Sequence, residues 1–251
     1  MPRLELDNVS KSFRGLRAVA RATFAVERHT IAALIGPNGA GKTTLFNLIA
    51  GLHRPDAGAI HFRGQAIGGL PPHRVCAAGI GRTFQLVSVF PRLSALENLV
   101  TFLQQHQEES VVARLVRTPR VRRFEAAAID RARTLLESVG LAARANAPAG
   151  SLSYGQRKLL AFAAALMPDP DLLLLDEPAA AVNPTMIQQM KEQIQALHRQ
   201  GKAVLLVEHN MDVVMDISQR VVVLDHGQKI AEGPPEAVRR DAKVVEAYFG
   251  R

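Results

Sequence analysis

Residues 31–44 read IAALIGPNGAGKTT, and this stretch decides the fold. The apolar run from Ile31 to Ile35 predicts a strand buried on both faces, and the residues from Lys42 onward predict a helix. Between them, the segment from Gly36 to Thr43 satisfies the P-loop pattern, in which a glycine and four further residues precede Gly-Lys-Thr. A strand, a glycine-rich loop and a helix in this order predict a nucleotide-binding α/β domain.

The P-loop has a direct physical use. Its backbone N–H groups can turn inward around phosphates, and the helix N-terminus adds positive potential. Lys42 is predicted to reach the β- and γ-phosphates of ATP, and the Thr43 hydroxyl to bind Mg²⁺. A glycine-rich turn without a ligand is the alternative interpretation. The residues predicted to bind nucleotide are Gly36, Pro37, Asn38, Gly39, Ala40, Gly41, Lys42, Thr43 and Thr44.

Two acidic residues, Asp176 and Glu177, follow four consecutive leucines at 172–175. This places Asp176 at the carboxyl end of a buried strand, where open α/β sheets bind their ligands. Asp176 suits Mg²⁺ held through water, and Glu177 can accept a proton from an attacking water. A pair of acids that only opens a loop or caps a helix is the alternative. The P-loop in the same chain favours the functional interpretation.

The pentapeptide Leu-Ser-Tyr-Gly-Gln at 152–156 precedes an apolar helical segment. Ser153 is predicted to be the N-cap of that helix. A helix N-terminus with a free hydroxyl and a glycine can also bind an anion, so capping and anion binding are compatible roles. Strand candidates and helices alternate elsewhere, which predicts a largely parallel sheet with helices on its faces. From about residue 86 to residue 165 the pattern is helical.

Composition and charge restrict the function classes. No apolar run approaches the roughly 20 residues that a bilayer span needs. The charged start does not fit a signal peptide, and the single Cys76 excludes an internal disulfide, so an intracellular location is expected. The formal net charge is +8, and arginines concentrate between Val111 and Arg144. This excess could face nucleic acid or an anionic membrane, or be a solvated helix face.

These motifs in this order resemble the ATP-binding subunits of ABC transporters, and the likeness covers nearly the whole chain. The resemblance rests on the P-loop, the Leu-Ser-x-Gly-Gln signature, the Asp-Glu pair after four leucines and the later His209. Tyr154 in the signature, the tail at 231–238 and the segment at 247–250 are similar to the subgroup that serves branched-chain amino acid uptake. The resemblance implies one ABC-type domain over residues 1–251. It also implies a P-loop NTPase core with a mainly parallel sheet, a small antiparallel β-subdomain and a helical subdomain inserted at about 86–165.

The resemblance also implies further site residues. Gln85 matches the glutamine that contacts Mg²⁺ or the attacking water, and His209 matches the switch histidine that holds the γ-phosphate. Phe13 matches the aromatic residue that stacks on adenine, although core or surface packing is its alternative role. In the family, the signature residues contact ATP that is bound to a partner subunit. The matching residues here are Ser153, Tyr154, Gly155 and Gln156. The residues implied to bind Mg²⁺ are therefore Thr43, Asp176 and Gln85.

The function implied is ATP hydrolysis that powers uptake of branched-chain or related hydrophobic amino acids. The implied partners are transmembrane permease subunits, a second ATP-binding subunit of the same or another chain, and indirectly a solute-binding protein. The subunit would lie peripherally on the cytoplasmic face of the membrane and bind no nucleic acid. Importers of urea or another small solute are the first alternative, and a soluble ABC ATPase acting on nucleic acid is the second. A P-loop kinase or GTPase would leave residues 152–156 unexplained.

Overall fold

The computed structural model describes residues 3–83, 89–104 and 118–249. Among these residues the chain divides into two compact units. The first unit comprises Met1–Arg82, Asp171–Ala180 and Ile194–Arg251. The second unit comprises Thr83–Pro170 and Ala181–Gln193. Gln85, which the sequence assigns to the site, lies outside the described residues.

The first unit contains the strands and most of the shorter helices. Its strands are β1 Leu4–Phe13, β2 Leu16–Val26, β3 Ile31–Ile35, β4 Ala57–Phe62, β5 Gln65–Ala66, β6 Ile80–Arg82, β7 Leu172–Asp176, β8 Ala203–Val207, β9 Arg220–Asp225 and β10 Gln228–Gly233. The described helices are, in chain order, α1 Lys42–Ile49, α2 Pro72–Ala77, α3 Ala95–Gln104, α4 Pro119–Ser138, α5 Tyr154–Leu166, α6 Pro184–Arg199, α7 Met211–Ile217, α8 Pro235–Arg239 and α9 Ala242–Phe249.

A six-stranded sheet with the order β10-β9-β3-β8-β7-β6 forms the centre of the first unit. Its strands β9, β3, β8, β7 and β6 are parallel, and only β10 pairs in the antiparallel direction. Every residue of β3, β7 and β8 is buried, as expected for parallel strands that are covered on both faces. The strands predicted at 31–35 and 172–175 are therefore confirmed.

A second, antiparallel sheet has the order β2-β1-β4-β5. In β1 the buried Leu4 and Leu6 alternate with exposed residues, as the sequence pattern predicts for a half-buried strand. Leu4 pairs with Val26 and Leu6 with Phe24. The apolar faces of both sheets and of α1 belong to one hydrophobic core. The predicted fold class, a P-loop NTPase with a mainly parallel sheet and a small antiparallel sheet, is confirmed.

The second unit is helical where it is described. Ser94 and Glu97 form a capping box before α3: the Ser94 N–H and hydroxyl donate to the Glu97 carboxylate, and the Glu97 N–H donates to the Ser94 hydroxyl. Within the described part of the chain, no helix combines the length and apolar character needed to span a bilayer.

Arg131 has a structural role within this helical unit. Its Nε donates to the Met167 carbonyl at 2.8 Å, and its Nη2 donates to the Leu166 carbonyl at 2.8 Å. These carbonyls are at the C-terminal end of α5, where a helix leaves its last acceptors without intrahelical partners. One arginine of the basic segment is thus engaged in packing rather than presented to a ligand.

Replacing Arg131 with alanine should lower the free energy of unfolding by about 1–2 kcal/mol, because two charge-assisted hydrogen bonds are lost. Arg133→Ala on the same helix is the matched control, because the ion pair of Arg133 with Asp130, at 3.8 Å, joins two exposed side chains. Denaturant unfolding of the variants measures the difference. Equal midpoints for the two variants would contradict the capping role of Arg131.

Candidate functional site

Glycine is required in the loop that connects β3 to α1. Gly36, Gly39 and Gly41 all have positive φ angles, of 150°, 81° and 96°. A β-carbon at Gly36 would collide with the Leu224 carbonyl oxygen, and one at Gly41 with the Ala18 carbonyl oxygen. The loop is therefore packed against β9 and β2 at distances that only glycine permits. This packing holds the loop N–H groups in place before any ligand arrives.

Lys42 is buried at the first position of α1. Its ammonium donates to the carbonyl oxygens of Gly36 at 2.7 Å and Pro37 at 3.0 Å. Burial lowers the pKa of Lys42, and the nearby carboxylates of Glu177 and Asp176 oppose that effect. The ammonium is thus held over its own loop. Phosphate oxygens are stronger acceptors than carbonyls, so they can take over these hydrogen bonds.

A cavity of about 330 Å³ opens in front of the P-loop. Residues 16–18 and 38–44 line it, together with Glu177, His209 and His226. The fold therefore brings most of the predicted phosphate-binding residues together with two predicted catalytic residues that lie far away in the sequence. The cavity lining combines backbone N–H groups, a lysine and two hydroxyls, a donor set that suits a polyphosphate.

Asp176 is the last residue of β7 and is almost fully buried. Its Oδ2 lies 3.1 Å from Nη2 of Arg82 at the end of the neighbouring strand β6. Burial raises the pKa of Asp176, and the positive charge of Arg82 opposes that rise. Arg82 was not identified in the sequence, because a lone arginine after Ile80 and Gly81 gives no signal of its partner.

The described residues contain no cluster of three or more histidine, cysteine or acidic side chains that could hold a metal by itself. Mg²⁺ commonly takes only one or two protein ligands and completes its shell with phosphate oxygens and water. The Thr43 hydroxyl, which lines the cavity, and the Asp176 carboxylate fit that pattern.

Glu177 and His209 form a pair at the cavity wall. The His209 Nε2 lies 3.3 Å from the Glu177 Oε1. Glu177 has a positive φ of 49°, and its N–H donates to the Val207 carbonyl at the end of β8. This backbone turn separates the direction of the Glu177 side chain from that of Asp176. His209 lies two residues after the end of β8, so the two strand ends place a carboxylate and an imidazole side by side.

Glu208 is a buried acid that sequence reasoning missed. Its Oε1 accepts from the Ala179 N–H at 2.6 Å, and its Oε2 accepts from the N–H groups of His209 at 3.0 Å and Asn210 at 3.2 Å. Glu208 therefore joins the loop after Glu177 to the turn that carries His209. A glutamate at a buried strand end, directly before a candidate histidine, was the available signal.

The signature residues lie at the N-terminus of α5 in the second unit. Ser153 is the N-cap: its hydroxyl accepts from the Gln156 N–H at 3.2 Å, and the Gln156 Oε1 accepts from the Ser153 N–H at 3.0 Å. A β-carbon at Gly155 would collide with the sulfur of Met186. Tyr154 is exposed. The predicted N-cap is confirmed, and this helix end is open to a ligand.

Two predicted residues are left to consider: Phe13, which the structure describes, and Gln85, which lies outside the described residues. The Phe13 ring is 40% exposed and packs edge-on against His53, with ring centroids 5.1 Å apart. The Lys11 ammonium lies 5.5 Å from the centroid of the same ring. Phe13 is absent from the described cavity lining. The roles of Phe13 in adenine stacking and of Gln85 near Mg²⁺ remain predictions.

The C-terminal helix adds a contact that the sequence did not reveal. Burial raises the pKa of the Tyr248 hydroxyl, and the nearby backbone of Gly36, the first residue of the P-loop, opposes that rise. The tail segment that resembles the branched-chain subgroup therefore packs directly beside the phosphate-binding loop.

Comparison with known proteins identifies the family. A family model described as "ABC transporter" matches residues 19–180, and one described as "Branched-chain amino acid ATP-binding cassette transporter" matches residues 228–251. The chain is 41% identical over 250 residues to the high-affinity branched-chain amino acid transport ATP-binding protein BraF of Pseudomonas aeruginosa, covering 99% of this chain and 98% of BraF. It is 39% identical to the corresponding protein LivG of Escherichia coli, with the same coverage.

A solved structure is similar throughout. The crystal structure of an ATP-binding cassette of an ABC transporter in its ADP conformation superimposes with a TM-score of 0.86 at 32% identity. The match covers 100% of both chains. That cassette binds nucleotide on the same fold as the one described above.

Replacing Glu208 with glutamine should lower turnover at least about tenfold, because one of its two oxygens becomes a donor and the turn carrying His209 loses its position. The free energy of unfolding should fall by about 2 kcal/mol. ATP binding should change little, since Glu208 is not part of the cavity lining. ATPase assays, denaturant unfolding and ATP titration measure these three effects. The exposed Glu5→Gln is the control, and wild-type turnover in Glu208→Gln would contradict the positioning role.

Proposed function

This chain belongs to the ABC transporter family of ATP-binding subunits, and we propose from this premise that it hydrolyses ATP to drive uptake of branched-chain or related hydrophobic amino acids. The observation that carries the choice of cargo is the match of residues 228–251 to the branched-chain subgroup. The near full-length similarity to BraF and LivG supports the same cargo. The P-loop cavity with Glu177 and His209 supports the hydrolytic activity.

ATP binding is assigned to the residues around the P-loop. The N–H groups of residues 38–44 surround the β- and γ-phosphates, and the Lys42 ammonium exchanges its carbonyl acceptors for phosphate oxygens. Thr44 also lines the cavity and contributes to the same phosphate site. Phe13 is the proposed stacking partner of adenine.

Mg²⁺ would be held by the Thr43 hydroxyl and, through water, by the Asp176 carboxylate, with Gln85 as the further proposed ligand. When bound, Mg²⁺ supplies positive charge to the β- and γ-phosphate oxygens. One hydroxyl and one carboxylate would leave room for the phosphate oxygens and water molecules that Mg²⁺ commonly keeps as ligands.

Hydrolysis is assigned to Glu177 and His209. The oxygen of a water attacks the γ-phosphorus as the bond to the bridging oxygen of ADP breaks, which yields ADP and inorganic phosphate. Glu177 accepts the proton that this water loses. His209 orients the γ-phosphate and the water, and its 3.3 Å contact with Glu177 places both groups at one reaction site. The remaining contribution is positioning and charge stabilisation by the loop.

The site is proposed to be completed by a second ATP-binding subunit. The open N-terminus of α5, with the free face of Ser153 and Tyr154, would close over the γ-phosphate held by the partner. ATP then forms part of the interface, and its conversion into two repelling anions opens the pair. The helical unit would pass this motion to permease subunits at the cytoplasmic face of the membrane. A solute-binding protein would deliver the cargo to those permease subunits.

Transport in proteoliposomes tests the cargo. The chain is purified with its permease subunits, reconstituted with ATP on the side of the ATP-binding subunits, and supplied with solute-binding protein and labelled leucine. ATP-dependent leucine uptake is expected for the wild-type chain. Glu177→Gln should abolish uptake and turnover while ATP binding persists, because only the proton acceptor is lost. Uptake of labelled urea without uptake of leucine would contradict the proposed cargo and indicate a urea importer.

Mixing variants tests the shared site. Lys42→Ala and Ser153→Arg should each be inactive alone, because one lacks the phosphate-binding lysine and the other blocks the lid. Their mixture should recover up to about a quarter of wild-type turnover, since half of the dimers are mixed and each mixed dimer retains one intact site. A mixture of Lys42→Ala and Glu177→Gln is the matched control, because both changes damage the protomer that holds the nucleotide. Recovery in neither mixture would contradict a site shared between two copies.

A further inference from the structure

Arg82 connects three elements beside the P-loop. Its Nη2 lies 3.1 Å from the Asp176 Oδ2 at the end of β7, and its Nη1 donates to the Asn47 Oδ1 on α1 at 2.8 Å. The guanidinium carbon lies 5.8 Å from the centroid of the Phe46 ring. The side chains of Arg82 and Asp176 are only 9% and 3% exposed, so solvent screens their attraction weakly.

The contact with Arg82 sets the orientation of the Asp176 carboxylate and also balances its charge. A guanidinium is planar and presents its donors in a rigid fork, so one bond to Asn47 determines where the other donor points. Asn47 belongs to the same helix that begins with Lys42 and Thr43. The orientation of the Asp176 carboxylate is therefore tied to the helix that binds the phosphates.

We propose that Arg82 is a positioning residue, which holds the Asp176 carboxylate in place and balances its charge until Mg²⁺ arrives with ATP. The proposal rests on the Mg²⁺ role of Asp176 proposed above. Without nucleotide, Mg²⁺ must compete with a buried guanidinium for this carboxylate and gains no phosphate ligands in return. When ATP is bound, its phosphates bring enough negative charge to balance both Mg²⁺ and the Arg82 guanidinium. Asp176 thus binds Mg²⁺ only together with ATP.

Thermal unfolding without nucleotide tests the proposal. Arg82→Gln should unfold at a lower temperature than the wild type in EDTA and gain roughly 2–4 °C on addition of MgCl₂, because Mg²⁺ then balances the buried carboxylate. The wild type should gain less than this range when compared at equal ionic strength. Arg63→Gln is the matched control: Arg63 pairs with Asp171 at 2.8 Å, remote from the P-loop cavity lining, and should show the wild-type response.

Further variants keep the test decisive. Arg82→Lys retains the charge and should restore the weak wild-type response to Mg²⁺, and Arg82→Gln combined with Asp176→Asn should abolish the enhanced response. If Arg82→Gln fails to fold, Asn47→Ala frees one side of the fork and should show a partial Mg²⁺ response. An Mg²⁺ response in Arg82→Gln equal to that of the wild type would overturn the proposal.

The inference and the proposed function can fail separately. Asp176→Asn alone should weaken binding of ATP in the presence of Mg²⁺ but not in EDTA, as measured with a fluorescent ATP analogue. If Asp176→Asn weakens Mg²⁺-dependent ATP binding while Arg82→Gln gives no enhanced thermal response to Mg²⁺, only the role of Arg82 is wrong. If Asp176→Asn has no effect on Mg²⁺-dependent binding, the proposed Mg²⁺ role of Asp176 is wrong and the role of Arg82 falls with it.

Discussion

The parallel pairing of β3, β8 and β7 is the constraint on which the site depends. Ile31 pairs with Val204 in one ladder, and Leu172 pairs with Ala203 in the next. Because parallel strands run in the same direction, their carboxyl ends meet at one edge of the sheet. The P-loop, the Asp176-Glu177 pair and the Glu208-His209 pair each follow one of these ends. The pairing of these strands is therefore sufficient to bring the three distant segments of the site together.

Charge at this edge is balanced by the protein before a nucleotide binds. Lys42 donates to loop carbonyls, Arg82 contacts Asp176, and Glu208 accepts from three backbone N–H groups. A buried charge without such partners would be expensive to maintain. The proposed catalytic pair, Glu177 and His209, lines the cavity and is less buried than these groups, with side chains that are 20% and 45% exposed.

The two ends of α5 in the helical unit are held by different side chains. The Ser153 hydroxyl accepts from the Gln156 N–H near the start of α5, while Arg131 donates to carbonyls at the other end of the same helix. Hydrogen bonds at both ends make this helix a rigid support for the signature residues at its N-terminus. The charge of Arg131, one of the arginines of the basic segment, is therefore used in internal hydrogen bonds.

The sequence by itself determined the features that local patterns encode. The P-loop, the buried strands, the acid pair after β7 and the N-caps Ser94 and Ser153 each follow from residues adjacent in the chain. Only the tertiary structure decided which side chains meet across the sheet: Arg82 with Asp176, 94 residues apart, Glu208 with Ala179, and Gly36 with Leu224. Such contacts depend on strand order and on packing within a fraction of an ångström, and neither property leaves a periodic trace in the sequence.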